Sequence, residues 1–180
     1  MNDSAVDSLD IGLPNNSDVI KDWKWTDYKD FFIELEKIEI NRENVNKWLK
    51  TWSNLNELIG EIGTSLYIGT TVDTTDEKMK EKYYEFLEGI NEPASISNQI
   101  LKKKFLVSNL NPEEFDVPLR AIKSEINLFK KENLPLFTKE QKLAKEYDEI
   151  IGNQTVSWEG KELTLTQMQP VFLETDRENR

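Results

Sequence analysis

An all-α fold, a multi-helix bundle carrying one small β-hairpin near residues 155–165, is what the sequence predicts. Three observations carry the prediction. Apolar residues recur at steps of three and four over most of the chain, the spacing that places them on one face of a helix. Helix-start signatures separate these stretches, with Thr, Asn or Pro at the head and acidic residues in the first turn. One short segment breaks the pattern, being rich in β-forming residues around a Glu-Gly pair.

Residues 1–22 are polar, with scattered apolar residues, and read as a flexible lead-in pinned at Ile11-Gly12-Leu13-Pro14. The helical domain is expected over 23–180. Thr26 is a candidate cap for a first helix with Phe31, Phe32, Leu35 and Ile38 at helical spacing. Asn41 precedes the longest periodic stretch, in which Val45, Trp48, Leu49, Trp52, Leu55, Leu58, Ile59, Ile62 and Leu66 form one broad stripe. Thr74 and Glu77 have the spacing of a capping box. The helix behind them, through Met79, Tyr83, Phe86, Leu87 and Ile90, is expected to stop at Pro93.

Ser95 to about Ser108 predicts a further helix, through Ile96, Ile100, Leu101 and Phe105. Asn111-Pro112-Glu113-Glu114 reads as a helix start, and Pro118 as the break before a longer helix through Ile122, Ile126 and Phe129. Thr138-Lys139-Glu140-Gln141 is a second capping box, heading a helix that ends at Gly152-Asn153. Thr155–Trp158 and Lys161–Leu165 flank Glu159-Gly160 as the arms of the hairpin, with Gly160 supplying positive φ. Thr166-Gln167-Met168-Gln169 is read as the cap of a final helix, with Pro170 in its first turn.

Composition narrows the function. Twenty-three basic against 34 acidic residues leave a net charge of −11, a surface that repels nucleic acid and anionic membrane. With no Cys and no His, disulfides and the usual zinc ligands are excluded within these residues. The first ten residues have no basic stretch and no apolar run of a secretion signal, so a soluble, cytoplasmic protein is expected. The glycosylation sequons at Asn15 and Asn153 read as chance on the same ground.

No phosphate loop, EF-hand loop or serine-nucleophile motif occurs. Carboxylate pairs such as Glu57 and Glu61, or Glu81 with Glu85 or Glu88, fit a solvated helix face better than catalysis. Trp48 and Trp52 sit on the apolar stripe and read as core instead of a ligand platform. The helix glycines Gly60, Gly63 and Gly69 suggest close helix contact over a hinge. Trp158 either packs on the helices or faces a partner. We assign no catalytic and no metal-binding residue, and leave substrate-binding residues open. A hydrolase working through carboxylates alone would need a buried cleft with two acids of raised pKa.

Several segments, taken in order, resemble the amino-terminal region of oligoendopeptidase F-like zinc peptidases, relatives of thimet oligopeptidase. Trp48-Leu49-Lys50-Thr51-Trp52-Ser53-Asn54-Leu55 is similar to that family's Trp-Leu-x-x-Trp-Ser-x-Leu signature, and the run Leu66 to Asp76 looks like the segment after it. Leu128-Phe129-Lys130-Lys131-Glu132-Asn133-Leu134-Pro135-Leu136 resembles a later family segment. Gln154 to Leu165 resembles the family's hairpin, and Leu173-Glu174-Thr175-Asp176-Arg177 completes the set.

The resemblance implies a mainly helical region forming part of the wall of a deep substrate channel. Catalysis in that family belongs to a later part of the chain, where a His-Glu-x-x-His helix and a downstream Glu hold zinc. No residue here matches those, so the zinc cofactor belongs to that other part, and no catalytic role carries over. The partners implied are the missing carboxy-terminal catalytic domain and oligopeptide substrates. Because the chain stops at Arg180 inside an expected helix, a fragment or shortened homologue is expected. The alternative is a free-standing helical protein-interaction module.

Overall fold

The computed structural model describes residues 8–173 and Thr175. It is an all-α architecture with one small hairpin. The helices are α1 (Trp25–Lys37), α2 (Val45–Val72), α3 (Glu77–Phe86), α4 (Glu92–Val107), α5 (Asp116–Leu128), α6 (Leu134–Gly152) and α7 (Leu165–Phe172); the strands are β1 (Thr155–Trp158) and β2 (Lys161–Thr164). The chain divides into two compact units, one ending at Thr138 and the other beginning at Lys139.

The first unit is organised around α2. Its stripe buries Val45, Trp48, Trp52, Leu55, Leu58, Ile59 and Ile62, which join Phe32 and Leu35 of α1, Tyr83 and Phe86 of α3, and Leu101 and Phe105 of α4 in one core. Each large apolar side chain buried there contributes about 1.5–3 kcal/mol relative to exposure. Polar atoms carried inward are matched. The Trp48 indole N–H donates to the Leu35 carbonyl at 2.9 Å. A ring of three bonds ties α2 to α4: Trp52 Nε1 donates to Asn98 Oδ1 at 2.6 Å, Asn98 Nδ2 to Asn56 Oδ1 at 2.7 Å, and Asn56 Nδ2 to the Trp52 carbonyl at 2.8 Å. Both tryptophans are therefore core residues.

Two of the three helix glycines are contact points. A Cβ on Gly63 would lie 2.7 Å from the Phe86 ring, and one on Gly69 would lie 2.9 Å from Met79 Sδ. Gly60 faces open space, so close contact accounts for the first two only.

Several boundaries differ from those the sequence predicts. The segment read as a lead-in, in its described part from Ser8, lies on the core: Ile20 is fully buried, and Leu9, Ile11 and Leu13 pack at the edge. The Leu9 amide donates to Thr51 Oγ1 at 2.7 Å, a hydroxyl buried within α2. Residues 1–7 lie outside the described residues. Thr26 is inside α1, whose first turn is closed by Asp27 accepting from the Lys24 amide at 2.7 Å. Asp76, not Thr74, caps α3, accepting from the amides of Lys78 and Met79. An aspartate next to the helix start reaches those amides with a shorter turn than Thr74 can make.

Pro93 does not stop a helix. α3 runs through a π-helical turn, Leu87–Asn91, directly into α4, and the Glu92 amide bonds to the Leu87 carbonyl. The wider turn provides room for the proline ring, which lacks an amide and crowds the preceding turn of a regular α-helix. Asn111-Pro112-Glu113-Glu114 forms a turn with Glu114 at φ 62°, and α5 starts at Asp116 with Pro118 in its first turn. Thr138 is not a cap either, since α6 begins at Leu134. Its hydroxyl is buried and donates to Glu92 Oε1 of α4.

In the second unit β1 and β2 pair antiparallel with Thr155 opposite Thr164 and Trp158 opposite Lys161. Glu159 and Gly160 both have positive φ, 49° and 75°, as a two-residue type I′ hairpin turn requires. Gly160 adopts this without cost, whereas Glu159 is a side-chain-bearing residue held there by the turn. Trp158 is half-buried. α7 follows, capped by Thr164, whose hydroxyl accepts from the Gln167 amide at 3.3 Å while Gln167 Oε1 accepts from the Thr164 amide at 2.8 Å. The cap lies two residues before Thr166, so Pro170 is in the second turn of α7 instead of the first. Residues 176–180 and Glu174 lie outside the described residues, and with them most of the Leu173 to Arg177 segment.

Candidate functional site

Catalysis by charged side chains needs groups brought out of water and turned towards one another. Glu57 and Glu61, and Glu81, Glu85 and Glu88, are all exposed. Glu57 accepts from the Ser53 hydroxyl at 2.9 Å on its own helix, and Glu85 lies 3.9 Å from Lys24 in an exposed ion pair. These are the solvated faces expected of them. Among the described residues no group of three or more acidic side chains is placed to hold a metal ion.

Proton affinities point the same way. Asp18 is held below the usual carboxylate range by its hydrogen bond to Lys21 and that ammonium's charge. Asp73 is lowered by the hydroxyl and then the amide of Thr75, both donating to it. Both shifts are opposite to those of a carboxyl kept protonated for acid catalysis. The groups pushed up are tyrosines. Burial raises Tyr28 to about 12, with the Asp27 charge adding to it, and burial raises Tyr83 with help from Tyr67 and Tyr84. Each is part of the core.

Two hollows open in the first unit. One, of about 260 Å³, lies between α1 and α4 over Phe32 and Leu101, with Trp25 and Ile100 at its sides and the exposed charges of Lys29 and Glu36 on its α1 edge. That is just under the range of ordinary small-molecule pockets. The other, of about 630 Å³, lies between the segment from Ser8 to Ser17 and the polar side of α2, where Lys50, Asn54, Glu57 and Glu61 face it. Ser97 and Glu36 are among the residues lining the first, and Ser8, Ser17, Glu57 and Glu61 among those lining the second.

The most distinctive surface is on α6. On most amphipathic helices the apolar stripe is the covered side. Here Leu143, Tyr147 and Ile150 are 52, 63 and 62 % exposed, and Ile151 also reaches solvent. The side chains taken out of water on this helix are Leu134, Thr138 and Lys145. Leu143, Ala144, Tyr147, Ile150 and Ile151 stand at i, i+1, i+4, i+7 and i+8, so they form a continuous apolar face over two turns. The sequence predicts a helix here, ending at Gly152-Asn153, without singling out this stripe or its lack of cover. Periodicity tells which residues share a face, and only the surroundings tell which face is packed.

No helix among the described residues is long and apolar enough to cross a membrane. Comparisons with known protein families, with curated proteins and with solved structures found no match.

Proposed function

We propose that this chain is a non-catalytic amino-terminal helical part of a zinc-dependent oligopeptidase, forming part of the wall of its substrate channel. The observation that carries the reading is the order and spacing of the segments beginning at Trp48, Leu66, Leu128 and Gln154, each similar to a segment of oligoendopeptidase F-like peptidases. A rigid helical wall selects substrates by size, admitting short peptides and excluding folded proteins. Its chemistry is then supplied elsewhere in the enzyme, where zinc lowers the pKa of a bound water and a glutamate acts as base. A cytoplasmic site of action belongs to the same reading.

The test is peptidase activity on a fluorogenic oligopeptide, for this chain and for the uninterrupted reading frame that contains it. Activity confined to a longer product and abolished by a chelator supports the proposal. A longer product inactive with added zinc, or the lack of any longer product, sinks it.

A second reading, a helical interaction module, is favoured by one observation: the apolar face of α6 from Leu143 to Ile151 is open to solvent. Large contiguous apolar patches exposed on soluble proteins mark interaction sites.

A further inference from the structure

We infer that the α6 face from Leu143 to Ile151 takes a basic amphipathic helix of a partner protein, an inference that rests on the interaction reading. The face has the form helix pairing uses: apolar residues at i, i+4 and i+7, here Leu143, Tyr147 and Ile150, widened on one side by Ala144 and Ile151. Its rim decides the occupant. Glu140 lies one turn before Leu143, Glu146 borders the face between Leu143 and Ile150, and Asp148 borders it beside Ala144 and Ile151. All three are exposed, and the cations at the amino-terminal edge are Lys139, exposed, and Lys142, half-buried. A second copy of this chain would set acids against acids across the interface, on a molecule already carrying a net charge of −11. A partner helix with leucine on one face and lysine or arginine along its flanks meets both the apolar strip and the acidic rim.

The probe is a fluorescently labelled 18-residue peptide of leucine and lysine, patterned as an amphipathic helix. Its leucine–glutamate counterpart is the control, and both are titrated against the full chain. The leucine–lysine peptide is expected to bind, and the control is not. The double variant Leu143→Ser with Ile150→Ser is expected to weaken binding about tenfold or more, because the central anchors of an interface dominate its affinity. Glu146→Lys with Asp148→Lys is expected to weaken it about tenfold and to flatten its salt dependence. All four positions are exposed, so circular dichroism should show each variant folded.

Binding unaffected by the Leu143 and Ile150 substitutions would mean diffuse attraction to an acidic surface and would overturn the inference. No binding by the unaltered chain would overturn it as well. Self-association of the chain, lost in the Leu143→Ser and Ile150→Ser variant, would overturn the basic partner while keeping the interaction reading. No binding together with chelator-sensitive peptidase activity in a longer product would remove both.

Discussion

α2 and α6 are both amphipathic, and their apolar stripes meet opposite fates. α2 turns Trp48 and Leu55 fully inward and places helices against its stripe along most of its 28 residues. α6 carries a comparable stripe, yet Tyr147 and Ile150 remain more than half exposed while Lys145 is 2 % exposed. The difference teaches that amphipathicity records a demand for cover, and that the demand can be left unmet by the residues nearby. Where α2 lies, helices before and after it in sequence return to pack on it. Around the later part of α6 the chain supplies a hairpin whose residues are mostly exposed and a two-turn helix that buries only Met168. An uncovered stripe is thus the feature of this protein that most needs a functional explanation.

The sharpest way to break the comparison is to truncate each stripe. Trp48→Ala is expected to cost about 3–5 kcal/mol, since it empties the core and strands the Leu35 carbonyl. Leu143→Ala is expected to stay within about 0.5 kcal/mol. Urea unfolding of both variants measures this. A loss above 2 kcal/mol at Leu143 would mean that the α6 face is packed in solution and would erase the contrast.

Glycines sharpen it on the α2 side. Gly63→Ala is expected to destabilise by about 1–3 kcal/mol, because its Cβ would meet the Phe86 ring at 2.7 Å, outweighing the helix propensity gained. Gly60→Ala, three residues earlier and facing open space, is expected to stabilise by about 1 kcal/mol. Opposite signs at two neighbouring glycines would confirm that one face of α2 is closely packed and the other free. A shift of the same sign at both would refute it.

The smallest effect concerns pH. Tyr28 is buried, and its hydroxyl has no hydrogen-bond partner among the described residues. Its pKa is raised to about 12 in the fold against an ordinary value of 10.0. A tyrosine raised in this way keeps its proton in the folded state after the unfolded chain has released it. Stability therefore holds below pH 10 and falls as pH rises from 10 towards 12. Tyr28→Phe is expected to flatten that decline and to leave neutral-pH stability unchanged or slightly higher, as the unpartnered hydroxyl is removed. Thermal melts between pH 8 and about pH 11 read the slope, and an equal decline in both proteins would mean that Tyr28 is not its source.

Of the candidate surface, only the helix that carries it, ending at Gly152-Asn153, was legible in the sequence. The residues from Leu143 to Ile151 share a face of that helix, and nothing in them says that solvent will meet it. The absence of His and Cys made the lack of an ordinary zinc site readable at once. The capping residues were harder. Thr74 and Thr138 have the spacing of capping boxes, but Asp76 competes successfully for the first, and the second is overridden because α6 starts one turn earlier at Leu134.

Taken alone, the sequence determined the helical class, the long α2 stripe with Trp48 and Trp52 in the core, and the hairpin closing at Glu159-Gly160. These follow from local rules: a 3.6-residue period, the bulk of indole rings, and the positive φ that a two-residue turn demands. Tertiary structure alone decided that Pro93 would be absorbed in a π-turn, that residues from Ser8 to Ile20 would lie on the core, and that Thr138 would bond to Glu92. It also decided which face of α6 would be left to water. Such outcomes depend on which neighbours arrive from distant parts of the chain, and burial is a property of that assembly rather than of any segment within it.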